Sequence, residues 1–217
     1  MIGNDMFTYC TNNPVNFHDP TGLCKNTFSF YFKVDCGQKN CPQSKNYIRK
    51  TAKVAVIYDG RQSGILNGKL LGKGFSHQGN ELVNRLESNY TVESYSFKSM
   101  QEFVDSWNGL DGEYNKVYIV AHGNAGGLHC DDSSIGPEYA GYSYSFQSLN
   151  PINVTSIQLY CCDGASLNAQ GDSVALILHG LTGAPVTAVQ NGGVNFSWDN
   201  CYPEATDGGN WITVPTQ

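Results

Sequence analysis

The chain has 217 residues, 40% of them apolar and 12% aromatic, enough to bury one sizeable core and a short appendage. A formal net charge of −6 and the absence of any basic run argue against nucleic acid as the main partner. No stretch approaches the roughly 20 apolar residues of a membrane span, and the first residues lack the charged-then-apolar pattern of a signal peptide.

In chain order, residues 1–23 are rich in Asn, Pro and Thr and lack a periodic apolar face. They include Pro14, Asp19, Pro20, Gly22 and Leu23 in the run PVNFHDPTGL. Residues 24–50 are polar and mixed, with one aromatic run, TFSFYFKV, suited to an edge strand or hairpin, and read as a linker or packed extension. The main domain is expected over 51–217. Its first strand is KVAVIY (53–58), followed by Asp59, Gly60, Arg61 and a Gly-rich loop reaching Gly74. Residues 76–88 read as a helix begun by a Ser cap, with Leu82, Val83 and Leu86 on one face. Residues 91–97 alternate as a strand. Over 98–110, Met100, Phe103, Val104 and Trp107 recur at helical spacing.

Two continuous apolar runs follow, KVYIVA (116–121) and SIQLYC (156–161). Runs of this kind suit strands buried on both faces of a parallel sheet. The first leads into His122-Gly123 and the second into Cys162-Asp163-Gly164. Loops beyond the carboxyl ends of parallel strands form the crevice of such a sheet, so adjacent strands would bring the imidazole and the thiol together. An imidazole within hydrogen-bond reach can convert a thiol to the nucleophilic thiolate. The glycines would let the backbone turn after each strand and aim N–H groups at a developing oxyanion. Cys161 should point to the opposite face, as a packed thiol. Between the motifs, 124–151 is rich in Gly, Ser and Tyr, and GYSYSFQSL suits a hairpin walling the cleft. A helix within 171–181, a strand PVTAVQ (185–190) and an edge strand over 194–198 complete the β-α-β-α-β-β-α-β order.

These motifs resemble the caspase-like cysteine peptidases, over roughly residues 53 to 200. An apolar strand before His-Gly and a second before a small residue, the nucleophilic Cys, a variable residue and Gly match VYIVAHG and IQLYCCDG. The paired cysteines look like the metacaspase version, pointing to Cys162. The resemblance implies an α/β fold, a three-layer α/β/α sandwich with a mostly parallel sheet. It also implies endopeptidase activity on a protein or peptide without metal or other cofactor, Cys162 as nucleophile, His122 as proton carrier, and Gly123 and Cys162 N–H groups at the oxyanion. Asp59 and Arg61 stand where relatives carry specificity residues, and imply opposite preferences. Tyr160 replaces the Gln, Glu or Asp usual two residues before the nucleophile. Gln190 and Asn191 are further candidate pocket walls.

The run from Pro14 to Leu23 resembles the boundary motif that closes the core of Rhs (YD-repeat) proteins and precedes a variable C-terminal payload. That resemblance implies a bacterial polymorphic toxin, an effector payload of a secreted or cell-surface protein acting in a target-cell cytosol, with an immunity protein as partner. Two rival functions stand beside it: an inert interaction domain on the same fold, and a metal-dependent payload using His122, His129 and cysteines. Eight irregularly spaced cysteines without a C-x-x-C pair read mostly as free thiols, although Cys24, Cys36 and Cys41 could form a disulfide or metal clip. His179-Gly180, at the end of a predicted helix, reads as ordinary capping.

Overall fold

The computed structural model describes residues 25–26, 34–35, 52–61, 65–66, 69–70, 74–130, 133–196 and 202–215. The chain divides into two compact units, Met1–Thr51 and Ala52–Gln217. In the first, Lys25–Asn26 and Val34–Asp35 pair antiparallel. The boundary motif at 14–23, the body of the aromatic run and Cys24, Cys36 and Cys41 lie outside the described residues.

The second unit is an α/β fold built on a six-stranded sheet. Its elements are β1 (Lys53–Asp59), α1 (Phe75–Glu87), β2 (Thr91–Phe97), α2 (Met100–Asn108) and β3 (Glu113–Val120). Then come four short strands, β4 (His122–Gly123), β5 (Leu128–Cys130), β6 (Ser133–Gly136) and β7 (Tyr144–Ser145). The chain closes with β8 (Asn153–Tyr160), α3 (Val174–Thr182), β9 (Val186–Gln190), β10 (Gly193–Phe196), β11 (Pro203–Thr206) and β12 (Asn210–Val214).

The sheet order is β12-β9-β8-β3-β1-β2, parallel throughout except that β12 runs antiparallel to β9. From β1 the chain moves outward to β2 and returns on the other side as β3. The crevice of an open α/β sheet forms at such a reversal, beyond the carboxyl ends.

Both faces are covered, which explains the continuous apolar runs. Val54, Val56 and Tyr58 pack under Leu82 and Leu86 of α1, together with Val120, Tyr160 and Phe196. Ala55 and Ile57 face the opposite core, where Phe103 and Trp107 of α2 and Val174 and Leu178 of α3 meet Ile119, Leu159 and Ala188. Fully burying each large apolar side chain contributes about 1.5–3 kcal/mol. Trp107 satisfies its indole N–H on the Asn150 carbonyl at 2.8 Å.

The helix boundaries follow from caps. Ser99 and Ser173 accept from the backbone N–H groups of Glu102 and Leu176. Helix α1 instead begins after Gly74, which gives no side-chain cap and stands two residues before the expected cap Ser76. Helix α3 ends at Gly183 in the left-handed region, and the His179 Nδ1–H donates to the Ala184 carbonyl at 2.9 Å. That is the capping role expected of this His.

Two differences from the sequence reading concern the edges. Residues 193–196 form a separate antiparallel pair with 203–206 rather than the sheet's edge. The edge is β12, pairing from Val186↔Val214 to Gln190↔Asn210. The run GYSYSFQSL (141–149) does not form the expected hairpin, because it holds one two-residue strand followed by a short 3-10 turn, and the antiparallel pair in 124–151 is β5 with β6. The 124–151 excursion contributes β5, β6 and β7 to a four-stranded sheet with β4, in which β7 lies parallel to β6.

Candidate active site

The two motif strands are direct neighbours. Strands β3 and β8 pair parallel in register from Asn153↔Glu113 to Tyr160↔Val120. The Ala121 N–H continues the ladder by donating to the Tyr160 carbonyl at 3.1 Å. Two residues past the last paired position on each strand stand His122, which begins the separate strand β4, and Cys162, in the turn after β8. Alternation sends Ala121 and Cys161 into the α2/α3 core. The His122 ring meets the edge of Phe75, the first residue of α1, with ring centres 4.4 Å apart. His122 is exposed, and Cys162 is a half-buried free thiol.

Why these motifs need glycine becomes clear from Cys161. A Cβ on Gly123 would lie 2.9 Å from the Cys161 sulfur, and one on Gly164 only 2.7 Å from it. Neither glycine has a positive φ. Their requirement here is therefore space for a buried thiol, where a sharp turn was expected. The left-handed turn after the nucleophile position falls on Asp163, with φ 52°. Burial raises the Cys161 pKa and keeps this thiol protonated, with the neighbouring Cys162 and Asp163 adding to the shift.

Asp163 also fastens the Cys162 loop to the segment after β9. Its N–H donates to the Gly192 carbonyl at 2.8 Å, and its Oδ1 accepts from the Gly192 N–H at 3.0 Å and from Ser166 Oγ at 2.8 Å. Ser166 Oγ in turn accepts from the Asn191 N–H at 2.7 Å. The Cys162 N–H has no acceptor among the described residues. On the other strand, Asn124 Oδ1 accepts from the N–H groups of Gly126 and Gly127, at 2.8 and 3.0 Å, closing the loop after His122-Gly123.

The other expected site residues divide. Gln190 and Asn191 lie on the segment strapped to the Cys162 loop; Asn191 is exposed with φ 56°. Tyr160 is buried in the α1-side core, edge-on to Phe196 at 5.6 Å and to Trp211 at 5.8 Å, and burial pushes its phenol up. Asp59 is fully buried and forks onto Arg61, whose Nε lies 2.8 and 2.9 Å from the two carboxylate oxygens. The two opposed charges thus engage one another. They sit at the end of β1, two strands from Cys162.

His129 stands opposite His122 in the β4/β5 ladder. Burial lowers its pKa, and its Nε2 is buried with no hydrogen-bond partner among the described residues. No three His, Cys, Asp or Glu side chains among the described residues gather closely enough to hold a metal ion. No described helix is long and apolar enough to cross a membrane.

Comparison with family models, curated proteins and solved structures finds no match.

Sequence reasoning missed Asp163, Ser166, Gly193 and Asp207. A Cβ on Gly193 would sit 3.6 Å from Cys162 Sγ. One signal was available: Asp207-Gly208 is a strong turn dipeptide.

Proposed function

We propose that residues 51–217 form a cysteine endopeptidase of caspase-like type, on a three-layer α/β/α sandwich, with His122 and Cys162 as its catalytic pair. The observation that supports this reading is the in-register parallel pairing of β3 and β8, whose chains continue into His122 and Cys162. In the reaction, Cys162 Sγ attacks the scissile carbonyl as its proton passes to His122. The imidazolium then protonates the departing amine, the C–N bond breaks, and a thioester remains. Water, deprotonated by His122, hydrolyses the thioester and restores the thiol. The N–H groups of Gly123 and Cys162 serve the oxyanion, and the unengaged Cys162 N–H fits that role. No cofactor enters these steps.

The boundary motif at 14–23 supports a wider reading from sequence alone. The domain is the toxin payload of an Rhs-type protein, acting on protein or peptide substrates in a target-cell cytosol, where thiols stay reduced. An immunity protein in the producing cell would be its partner.

Labelling by thiol-reactive peptidyl probes, mapped by mass spectrometry, tests the core claim. Labelling concentrated at Cys162, abolished by Cys162→Ala and strongly slowed by His122→Ala, is expected. Equal labelling of all accessible cysteines, indifferent to His122, would replace the peptidase with an inert interaction domain.

A further inference from the structure

Helix α1 contains a glycine where helix propensity argues against one. Gly79 is buried within Phe75–Glu87, and glycine inside a helix is destabilising relative to alanine. The reason lies on β1, because a Cβ at position 79 would come within 2.2 Å of the Tyr58 ring. The helix therefore closes directly onto that ring, and Tyr58 Oη donates to Asn80 Oδ1 at 2.8 Å. In the β1/β3 ladder Tyr58 stands opposite Val120, so this close approach is made two residues before His122.

Phe75 stands four residues before Gly79, on the same face of the helix. Four helical residues rise about 6 Å, and two strand residues advance about 6.6 Å. A crossover helix runs back against its strands, so the turn from Gly79 to Phe75 matches the step from Val120 to His122. There the two rings meet with centres 4.4 Å apart and planes at 83°. Phe75 also packs against the core that holds Val120 and Tyr160, which fixes its own place. His122 is exposed, and a ring at an exposed position has several rotamers open to it unless a neighbour restrains it.

From this geometry we infer that Phe75 is a positioning residue for His122. Its ring limits the imidazole to one orientation, so that proton exchange with Cys162 starts from a fixed arrangement. Gly79 sets the height of that ring by admitting Tyr58 beneath the helix. The inference rests on the peptidase reading above and adds a residue to its site.

The test is the rate at which a thiol-reactive peptidyl probe labels Cys162 in the full chain, followed against probe concentration. Phe75→Leu keeps an apolar side chain without a ring. It should lower the maximal rate about ten-fold, the loss of one edge-to-face contact, and leave the half-saturating concentration unchanged. Phe75→Tyr restores the ring and should stay within about two-fold of wild type. In a His122→Ala background, Phe75→Leu should have no further effect, because the ring acts through that imidazole. Gly79→Ala, which must lift α1 from Tyr58, should slow labelling and add nothing to Phe75→Leu; an unchanged rate would overturn the part assigned to the glycine. The same loss with and without His122, no loss in Phe75→Leu, or a change in the half-saturating concentration alone would overturn the inference and leave the peptidase standing. Labelling of Cys162 that is indifferent to His122 would overturn both.

Discussion

At the amino ends of the sheet's strands, Lys53, Glu93 and Tyr114 bind one another; at the carboxyl ends, the exposed His122 packs on Phe75 and Cys162 is a half-buried free thiol. Glu93 accepts from Lys53 at 3.0 Å, from Tyr95 at 3.3 Å and from Tyr114, while Lys53 also reaches the Asp111 carbonyl at 2.7 Å. Each polar group in that network has its partner within the fold. At the opposite end the polar contacts are made by the backbone and by Asp163 and Ser166, which hold loops in position without engaging the thiol. The side-chain network thus gathers at one end of the sheet and the proposed pair at the other, and substitutions at the two ends should have different signatures.

The largest contrast is expected for the proposed pair. Cys162→Ala should abolish probe turnover, and His122→Ala should slow it by roughly 10²–10⁴-fold. Thermal unfolding should barely move, within about 0.5 kcal/mol, since neither side chain belongs to the core. A large loss of stability in Cys162→Ala would place this thiol with Cys161 as a packing residue.

Gly164→Ala should have the reverse signature, since its new Cβ would press on Cys161 Sγ and on Leu159 Cδ2 at 2.9 Å. Overpacking of this kind costs about 1–3 kcal/mol. Combining it with Cys161→Ala removes the sulfur, so the double variant should be less destabilised than the sum of the two single changes. Strict additivity, measured by denaturant unfolding, would detach the glycine from the thiol it is argued to accommodate.

Tyr114→Phe probes the amino end alone. Its hydroxyl donates to the Glu93 carboxylate, and hydrogen bonds to charged groups contribute about 1.5–3 kcal/mol. Stability should fall by that order while labelling of Cys162 keeps its rate. Burial, aided by Glu93, pushes the Tyr114 phenol up to about 12. A raised pKa contributes stability that is complete below the unfolded value of 10.0 and is lost as pH rises through the folded value. Wild type should therefore lose stability between those values, and Tyr114→Phe should lose less.

How much of this was legible in the sequence follows from which interactions are local. Strands β1, β3 and β8 announce themselves because burial on both faces demands unbroken apolar runs, and Met100, Phe103, Val104 and Trp107 mark α2 by their spacing, whereas the caps at Ser99 and Ser173 went unread and the one expected at Ser76 is not used. The His122 and Cys162 positions are readable because each directly follows such a run. The pairing of Asp163 with Gly192, and the approach of Asp207 to Gly193, join residues far apart in sequence, and no spacing rule connects them. Strand β12 was missed for a related reason: its Trp211, Ile212 and Val214 resemble any short apolar stretch until β9 provides a partner. The glycines were legible as a requirement but not as to cause, because the Cys161 thiol that excludes a Cβ reaches Gly123 from the neighbouring strand and Gly164 only through the turn that folds back over it.

The smallest effect expected is an acid limb at His129. Burial lowers its pKa from the ordinary 6.5. A lowered His pKa means that the folded state holds the neutral ring, so its contribution to stability is present above 6.5 and is lost as pH falls through the folded value. His129 faces His122 across the β4/β5 ladder, and a proton on it would put positive charge beside the proposed proton carrier. Below about pH 6.5 the labelling rate of Cys162 should therefore fall more steeply in wild type than in His129→Gln, which cannot take up that proton. Identical acid limbs in the two proteins would assign the titration elsewhere. A limb removed by His129→Gln would make this half-buried ring the link between the stability of the β4/β5 ladder and the proposed chemistry at its edge.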